Sequence, residues 1–258
     1  MKRAFILLAF CFGLSAQASP LTTLLTADDA AAWRAVGRLN LGDGAMCTGA
    51  LISPTEVLTA AHCFFDEGSS KPISASDVTF LAGWRNGRAS AIGEASRIVI
   101  HNDYDPTLPL RDAVSVDIAL VQLTRPIDRG AAIPFELERQ PRVGNEVTVV
   151  SYARNRAEAP SLETGCKVLD RNARVITANC DVDFGSSGSP IFVIEQGVPK
   201  IASVVSAMAD TDSHGKFSIG VALGEPLIEL RRQLRVDNNV FQRKTPGAGS
   251  IADQLGRN

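Results

Sequence analysis

Short apolar or β-branched runs, each bounded by polar or turn residues, recur along the whole chain. They fall at 50–52, 78–81, 97–100, 118–123, 147–150, 167–169, 191–194, 201–205 and 217–223. Turn clusters such as Asp66-Glu67-Gly68-Ser69-Ser70 and Arg85-Asn86-Gly87 separate them. Many short strands at such spacing predict an all-β sandwich or barrel. Only 226–234 reads clearly as a helix. Leu227, Leu230 and Leu234 share one face at helical spacing, and Pro226 suits a first turn. From residue 237 to 258 the chain is polar and rich in Asn, Gly and Pro, and a flexible tail is expected.

The first 18 residues carry a processing pattern. Lys2-Arg3 form a charged start, an apolar stretch follows from Ala4 to Leu14, and Ala16-Gln17-Ala18 reads as an A-x-A cleavage site. The apolar stretch is well short of the ~20 residues a spanning helix needs. A signal peptide at 1–18 is therefore expected, with a secreted or periplasmic product. Residues 19–34 read equally well as a short pro-segment or as an ordinary N-terminal extension.

Composition narrows the function classes. Hydrophobic residues make up 45% of the 258, enough for a substantial core, whereas aromatics at 6% are too sparse for stacking platforms on single-stranded nucleic acid. Without residues 1–18 the chain keeps 24 basic and 28 acidic side chains, a net charge of about −4. There is no basic stripe for nucleic acid and no later apolar stretch long enough to span a membrane. Four of the five cysteines lie beyond Cys11, an even number suited to an oxidising compartment. They allow three pairings. A four-cysteine zinc site is disfavoured because no CxxC pair is present.

Three separated segments carry candidate chemistry. His62 stands in Leu58-Thr59-Ala60-Ala61-His62-Cys63, where alanines leave the ring unobstructed. Alone it reads as core packing or half a metal site. Asp117 lies in the apolar run Ser115-Val116-Asp117-Ile118-Ala119-Leu120-Val121, where burial is costly unless a partner is present. Alone it reads as a strand-end acid turned to solvent. Ser187, in Asp183-Phe184-Gly185-Ser186-Ser187-Gly188-Ser189-Pro190, has small neighbours that would let a carbonyl approach. Alone it reads as a flexible loop. Together they supply a nucleophile, a base and an orienting acid in the order His62, Asp117, Ser187. That order and Ser189, where a nucleophile elbow needs glycine, disfavour α/β-hydrolases and subtilisins.

The chain resembles trypsin/chymotrypsin-type serine proteases, and more narrowly their bacterial V8-like (glutamyl endopeptidase-like) branch. The matching residues are Cys47 to Ile52, Leu58 to Cys63, Ile100 to Tyr104, Asp117 to Leu120 and Gly185 to Pro190. The resemblance implies two packed six-stranded antiparallel β-barrels with a C-terminal helix. The first barrel would span 35–135 with His62 and Asp117, and the second barrel and helix 136–236 with Ser187, joined by a linker from Arg125 to Gly144. It implies disulfides Cys47–Cys63 and Cys166–Cys180. It also implies an acyl-enzyme mechanism with His62, Asp117 and Ser187 catalytic and the N–H groups of Gly185 and Ser187 as the oxyanion hole. Protein or peptide substrates follow, for a monomer with no cofactor or metal.

Alignment by eye puts Ser206, Ala207 and Met208 along the substrate strand and Gly220 near the back of its pocket. Glutamyl-specific members have a His where this chain has Val205, so a Glu preference is not expected. Asp181 would favour Arg or Lys substrates, or is a structural surface acid. Ser186 stands where zymogen-type members carry an Asp, so the usual activation switch is absent. His101 is expected to be structural, and His214, with metal-friendly neighbours, to sit in an exposed loop. Two rival functions are a catalytically silent protease-like binding protein and an adhesion module, the latter lacking repeats.

Overall fold

A computed structural model describes residues 21–42, 44–66, 68–211 and 215–242. The expected signal peptide, His214 and the end of the expected tail lie outside them.

Alternating and continuous apolar runs close into two barrels. A two-residue strand β1 (Thr22–Thr23) precedes β2 (Val36–Leu41), β3 (Ala45–Ser53), β4 (Glu56–Thr59), β5 (Val78–Ala82), β6 (Ala91–Ile100) and β7 (Ala119–Leu123). A short helix α1 (Leu110–Ala113) lies between β6 and β7. Strands β2 to β7 form a closed antiparallel barrel in the order β2-β3-β4-β7-β6-β5. After a two-residue strand β8 (Glu136–Leu137) come β9 (Glu146–Ala153), β10 (Arg156–Arg171), β11 (Val175–Ala178), β12 (Pro190–Glu195), β13 (Val198–Thr211) and β14 (Gly215–Ala222). These run β10-β11-β14-β13-β12-β9, and the pairing of β9 with β10 closes the second six-stranded ring. Closure of both rings leaves few edges open to association. The expected all-β, two-barrel architecture is the observed one.

The linker is held to each barrel in turn. Ile127 N–H donates to Pro54 O and Phe135 N–H to Leu51 O, then Glu138 N–H donates to Ile201 O on β13. Between these points β8 pairs in parallel with β13. One apolar core runs from Leu39, Leu58, Phe80 and Leu120 of the first barrel to Tyr152, Phe192 and Ile201 of the second, so the barrels share packing as well as a tether. A separate cluster of Val147, Val149, Cys166, Ile176, Cys180, Ile191 and Val205 fills the second barrel.

Two differences from the sequence reading have physical causes. The apolar run at 167–169 is the end of a sixteen-residue strand, β10. Its period is broken by register shifts between Arg156 and Ser161 and between Glu163 and Cys166. Pro160 and Gly165 fall within those two intervals, where a residue without an N–H or without a Cβ is tolerated. The helix α2 (Gly224–Gln242) runs past 234 and takes in the first residues of the expected tail. Leu227, Leu230 and Leu234 are buried as expected. The helix reaches back to the first barrel, where Arg231 pairs with Glu56 at 3.1 Å and Glu229 accepts from Asn102 Nδ2 at 3.0 Å. No helix among the described residues is long and apolar enough to cross a membrane.

The segment ahead of the first barrel is tied to both barrels. Strand β1 pairs with β10, Leu24 N–H donates to Pro160 O, and Leu25 O accepts from Arg85 of the first barrel. Trp33 packs against Phe135 and Phe192, with ring centroids 6.3 and 5.1 Å away.

Candidate active site

Strand β4 ends at Thr59, and the chain turns through buried Ala60 and Ala61 into a 3-10 turn, His62–Phe64. The disulfide Cys47–Cys63 anchors this turn to β3. A loop closed over sixteen residues is worth roughly 3 kcal/mol in the loop-entropy account, and here it fixes the residue next to His62. Cys166 and Cys180 form the second disulfide, ahead of the Ser187 loop. All four cysteines among the described residues are in disulfides, which leaves none of them as a thiolate ligand for the four-cysteine zinc alternative.

Asp117 stands just ahead of β7 and is buried, at 3% exposure. Such a carboxylate is stable only if its lone pairs are filled. Oδ1 accepts from the His62 backbone N–H at 2.8 Å, and Oδ2 lies 2.7 Å from His62 Nδ1. Ser206 Oγ donates to Oδ2 as well. The solvent-facing reading of this acid is thus excluded. Because a carboxylate can only accept, the neutral imidazole keeps its proton on Nδ1 and presents a free Nε2 lone pair. Burial disfavours the His62 imidazolium, but the charge and hydrogen bond of Asp117 outweigh burial and raise its pKa above the ordinary 6.5.

Ser187 and His62 face one cavity of about 310 Å³, in the cleft between the barrels. No hydrogen bond joins the Ser187 hydroxyl to the ring, a contact that in such sites commonly tightens only when substrate binds. Gly185 has φ +97, and a Cβ there would fall 2.9 Å from Met46 Cε and 3.0 Å from Ala153 Cα. Its conformation and that of Ser187 leave both backbone N–H groups without an acceptor among the described residues. Gly188 has φ +78, and a Cβ would fall 2.1 Å from Thr59 Oγ1 and 2.3 Å from Thr48 O. Only glycine lets the serine loop press so closely on the first barrel.

Thr48, fully buried, is the clamp between the barrels that the sequence reading missed. Its N–H donates to Ser187 O at 2.8 Å, and its hydroxyl donates to Gly185 O at 2.9 Å and accepts from Tyr152 N at 3.0 Å. The available signal was a polar residue in the apolar run 47–52. Ser186 is buried too, its Oγ accepting from Asp183 N–H and reaching Tyr152 O at 3.3 Å. Local bonds therefore shape the loop where a charged pair was not available.

Other sequence-derived residues fall differently. Ala207 and Met208 line the cavity. Ser206 also borders it, but its hydroxyl is committed to Asp117. Gly220 is corrected: it pairs with Val205 and is not on the cavity wall, since a Cβ added there would point at Ser203 Oγ, 2.4 Å away, and Ile191 Cδ1, 2.9 Å away. Asp181 is half exposed, lies off the wall and faces Lys216 at 3.4 Å. Its backbone N–H donates to Glu163, a buried acid not singled out from sequence, whose carboxyl is pushed up to about 7 by burial. His101 is buried, with Nε2 3.6 Å from Glu229 of α2 and Nδ1 accepting from Asp103 N–H, a structural placement.

Comparisons with known proteins place the sequence and the fold in a family. The sequence matches the Trypsin family over residues 26–224. Serine protease 56 of Homo sapiens is 35% identical over 220 residues, covering 76% of this chain and 34% of its own length. The mouse protein of the same name is 30% identical, and this chain spans about a third of both. Trypsin Blo t 3 of Blomia tropicalis is 27% identical over 72% of this chain and 74% of its own. A human relative named inactive serine protease PAMR1 is 22% identical over 80% of this chain and 26% of its own. Among solved structures, a Glu endopeptidase in complex with MPD superposes with a TM-score of 0.67. It covers 84% of this chain and 96% of its own at 16% identity, a likeness of fold. With the two barrels, the cleft and these matches in hand, the chain belongs to the trypsin family.

Proposed function

We propose that the protein is an exported serine endopeptidase that cleaves peptide bonds through an acyl-enzyme. The observation that carries this reading is the Asp117–His62 pair, bonded twice, facing Ser187 across one cavity. His62 Nε2 takes the Ser187 proton as Oγ attacks the scissile carbonyl, then returns it to the leaving amine. Asp117 holds the tautomer and stabilises the imidazolium. The unpartnered N–H groups of Gly185 and Ser187 receive the oxyanion; losing one such donor costs on the order of 10²–10³ in kcat. Water then attacks the acyl-enzyme by the same proton route.

Export is supported by the charged and apolar start of the chain, its A-x-A site and the two disulfides. Residues 21–34 are proposed to be retained, because they contact both barrels and Ser186 needs no new N-terminus to order the serine loop. Activity is then present without internal cleavage. The catalytically silent alternative has a precedent by name among the relatives, but His62, Asp117 and Ser187 are all present here with small residues around the serine, which argues against it.

The test is a pH profile of kcat/KM on an unstructured peptide. His62 must be neutral, so the rate rises with pH through a single ionisation centred above the ordinary histidine value, as its raised pKa requires. A rate that stays flat from about pH 5 to about 8 would contradict a histidine base.

A further inference from the structure

Resting on that function, in which the cavity beside Ser187 receives the side chain of the residue supplying the scissile carbonyl, we propose that the lining of this cavity selects an uncharged apolar side chain. With the carbonyl carbon at Ser187 Oγ and its oxygen directed to the Gly185 and Ser187 N–H groups, the acyl side chain falls into the space bounded by the serine loop and β13. That space is the 310 Å³ cavity.

Its walls are Val182, Phe184, Val205, Ala207 and Met208, together with four polar residues. Of the four, only Asp183 bears a standing charge, and that charge is already engaged. His62 and Ser187 belong to the reaction. The Ser206 hydroxyl is spent on Asp117. Asp183 Oδ1 accepts from Phe184 N–H at 2.7 Å, and the positive charge of Arg156, whose guanidinium donates to Ser151 Oγ at 3.2 Å, acts on Asp183 from nearby. Asp181 itself is turned to Lys216, and Glu163 is occupied by Asp181 N–H, both off the wall. A Glu, Lys or Arg side chain entering here would exchange water for aliphatic walls without a partner. An apolar one gains by burial, and at the mouth it meets the two large apolar side chains left exposed, Phe184 at 63% and Met208 at 40%.

The experiment is cleavage of a peptide series varied only at that residue (Leu, Met, Val, Phe, Glu, Lys, Arg), with active sites titrated by a fluorophosphonate. Expected is kcat/KM for the best apolar residue at least on the order of 10²-fold above Glu, Lys and Arg. A Met208→Lys variant, changed on the exposed rim, is expected to raise Glu relative to Leu by about tenfold. A chain that is titrated at its active site yet cuts best after Glu, Lys or Arg, or cuts none of the series, overturns this proposal and leaves the Ser187 assignment standing. An unchanged Met208→Lys profile also overturns it, because the side chain then lies elsewhere. A chain that is neither titrated nor active overturns the proposed function with it.

Discussion

Replacing Ser187 with alanine is expected to lower kcat for peptide hydrolysis on the order of 10⁶-fold, with folding unchanged. The size follows from the nucleophile's place in the scheme. Without Oγ there is no acyl-enzyme, and His62 and Asp117 have no proton to handle, so their contributions vanish together. What survives is the environment. The Gly185 N–H and the cleft still bind a carbonyl and leave a residual rate about 10³–10⁴ above water. The fold is spared because the loop is held through backbone atoms and a neighbour: Thr48 N–H bonds Ser187 O, Thr48 Oγ1 bonds Gly185 O, and Gly188 N–H bonds Val205 O. None of these uses the serine hydroxyl. Matching thermal midpoints with a rate falling by less than tenfold would remove Ser187 from the chemistry.

Asp117→Asn is expected to cost on the order of 10⁴ in kcat, with little change in KM. The isosteric amide can keep the backbone bond from His62 N–H and the contact with Ser206. What changes is the partner of His62 Nδ1. An amide nitrogen placed there donates, which drives the ring to carry its proton on Nε2, the wrong tautomer to accept from Ser187. The carboxylate charge that overcomes burial at His62 is lost as well. Only the lowering effect of burial then remains, so the acid limb of the residual activity should move to lower pH than in the wild type. A variant with full kcat, or with its limb displaced upward, would contradict this role for Asp117.

The side chains proposed to react stand out in the sequence because chemistry restricts their identities. The chain has only three histidines, and the order of His62, Asp117 and Ser187 separates the scaffolds that use such a set. The fold class was legible through the short apolar runs. Positions that depend on pairing across the fold were not. Thr48 looks like an ordinary strand threonine until Ser187, Gly185 and Tyr152 are brought to it from more than a hundred residues away. Glu163 looks exposed until Asp181 N–H closes over it. Position along the strand points Gly220 toward the pocket, whereas a Cβ there would run into Ser203 and Ile191. Strand β10 hid its length in the breaks of period around Pro160 and Gly165. Pocket character belongs to the same class, because it depends on where Asp181, Asp183 and Arg156 point and not on their presence.

The most direct test of the central claim is labelling of the folded chain with a fluorophosphonate probe, followed by mass spectrometry of the digested adduct. Phosphonylation requires a serine oxygen activated by a neutral base, with donors to receive the oxyanion. The expected result is one adduct on Ser187, formed faster as pH rises through the His62 ionisation and absent in Ser187→Ala. A folded chain that stays unlabelled, or that is labelled equally well at another serine, would contradict the account.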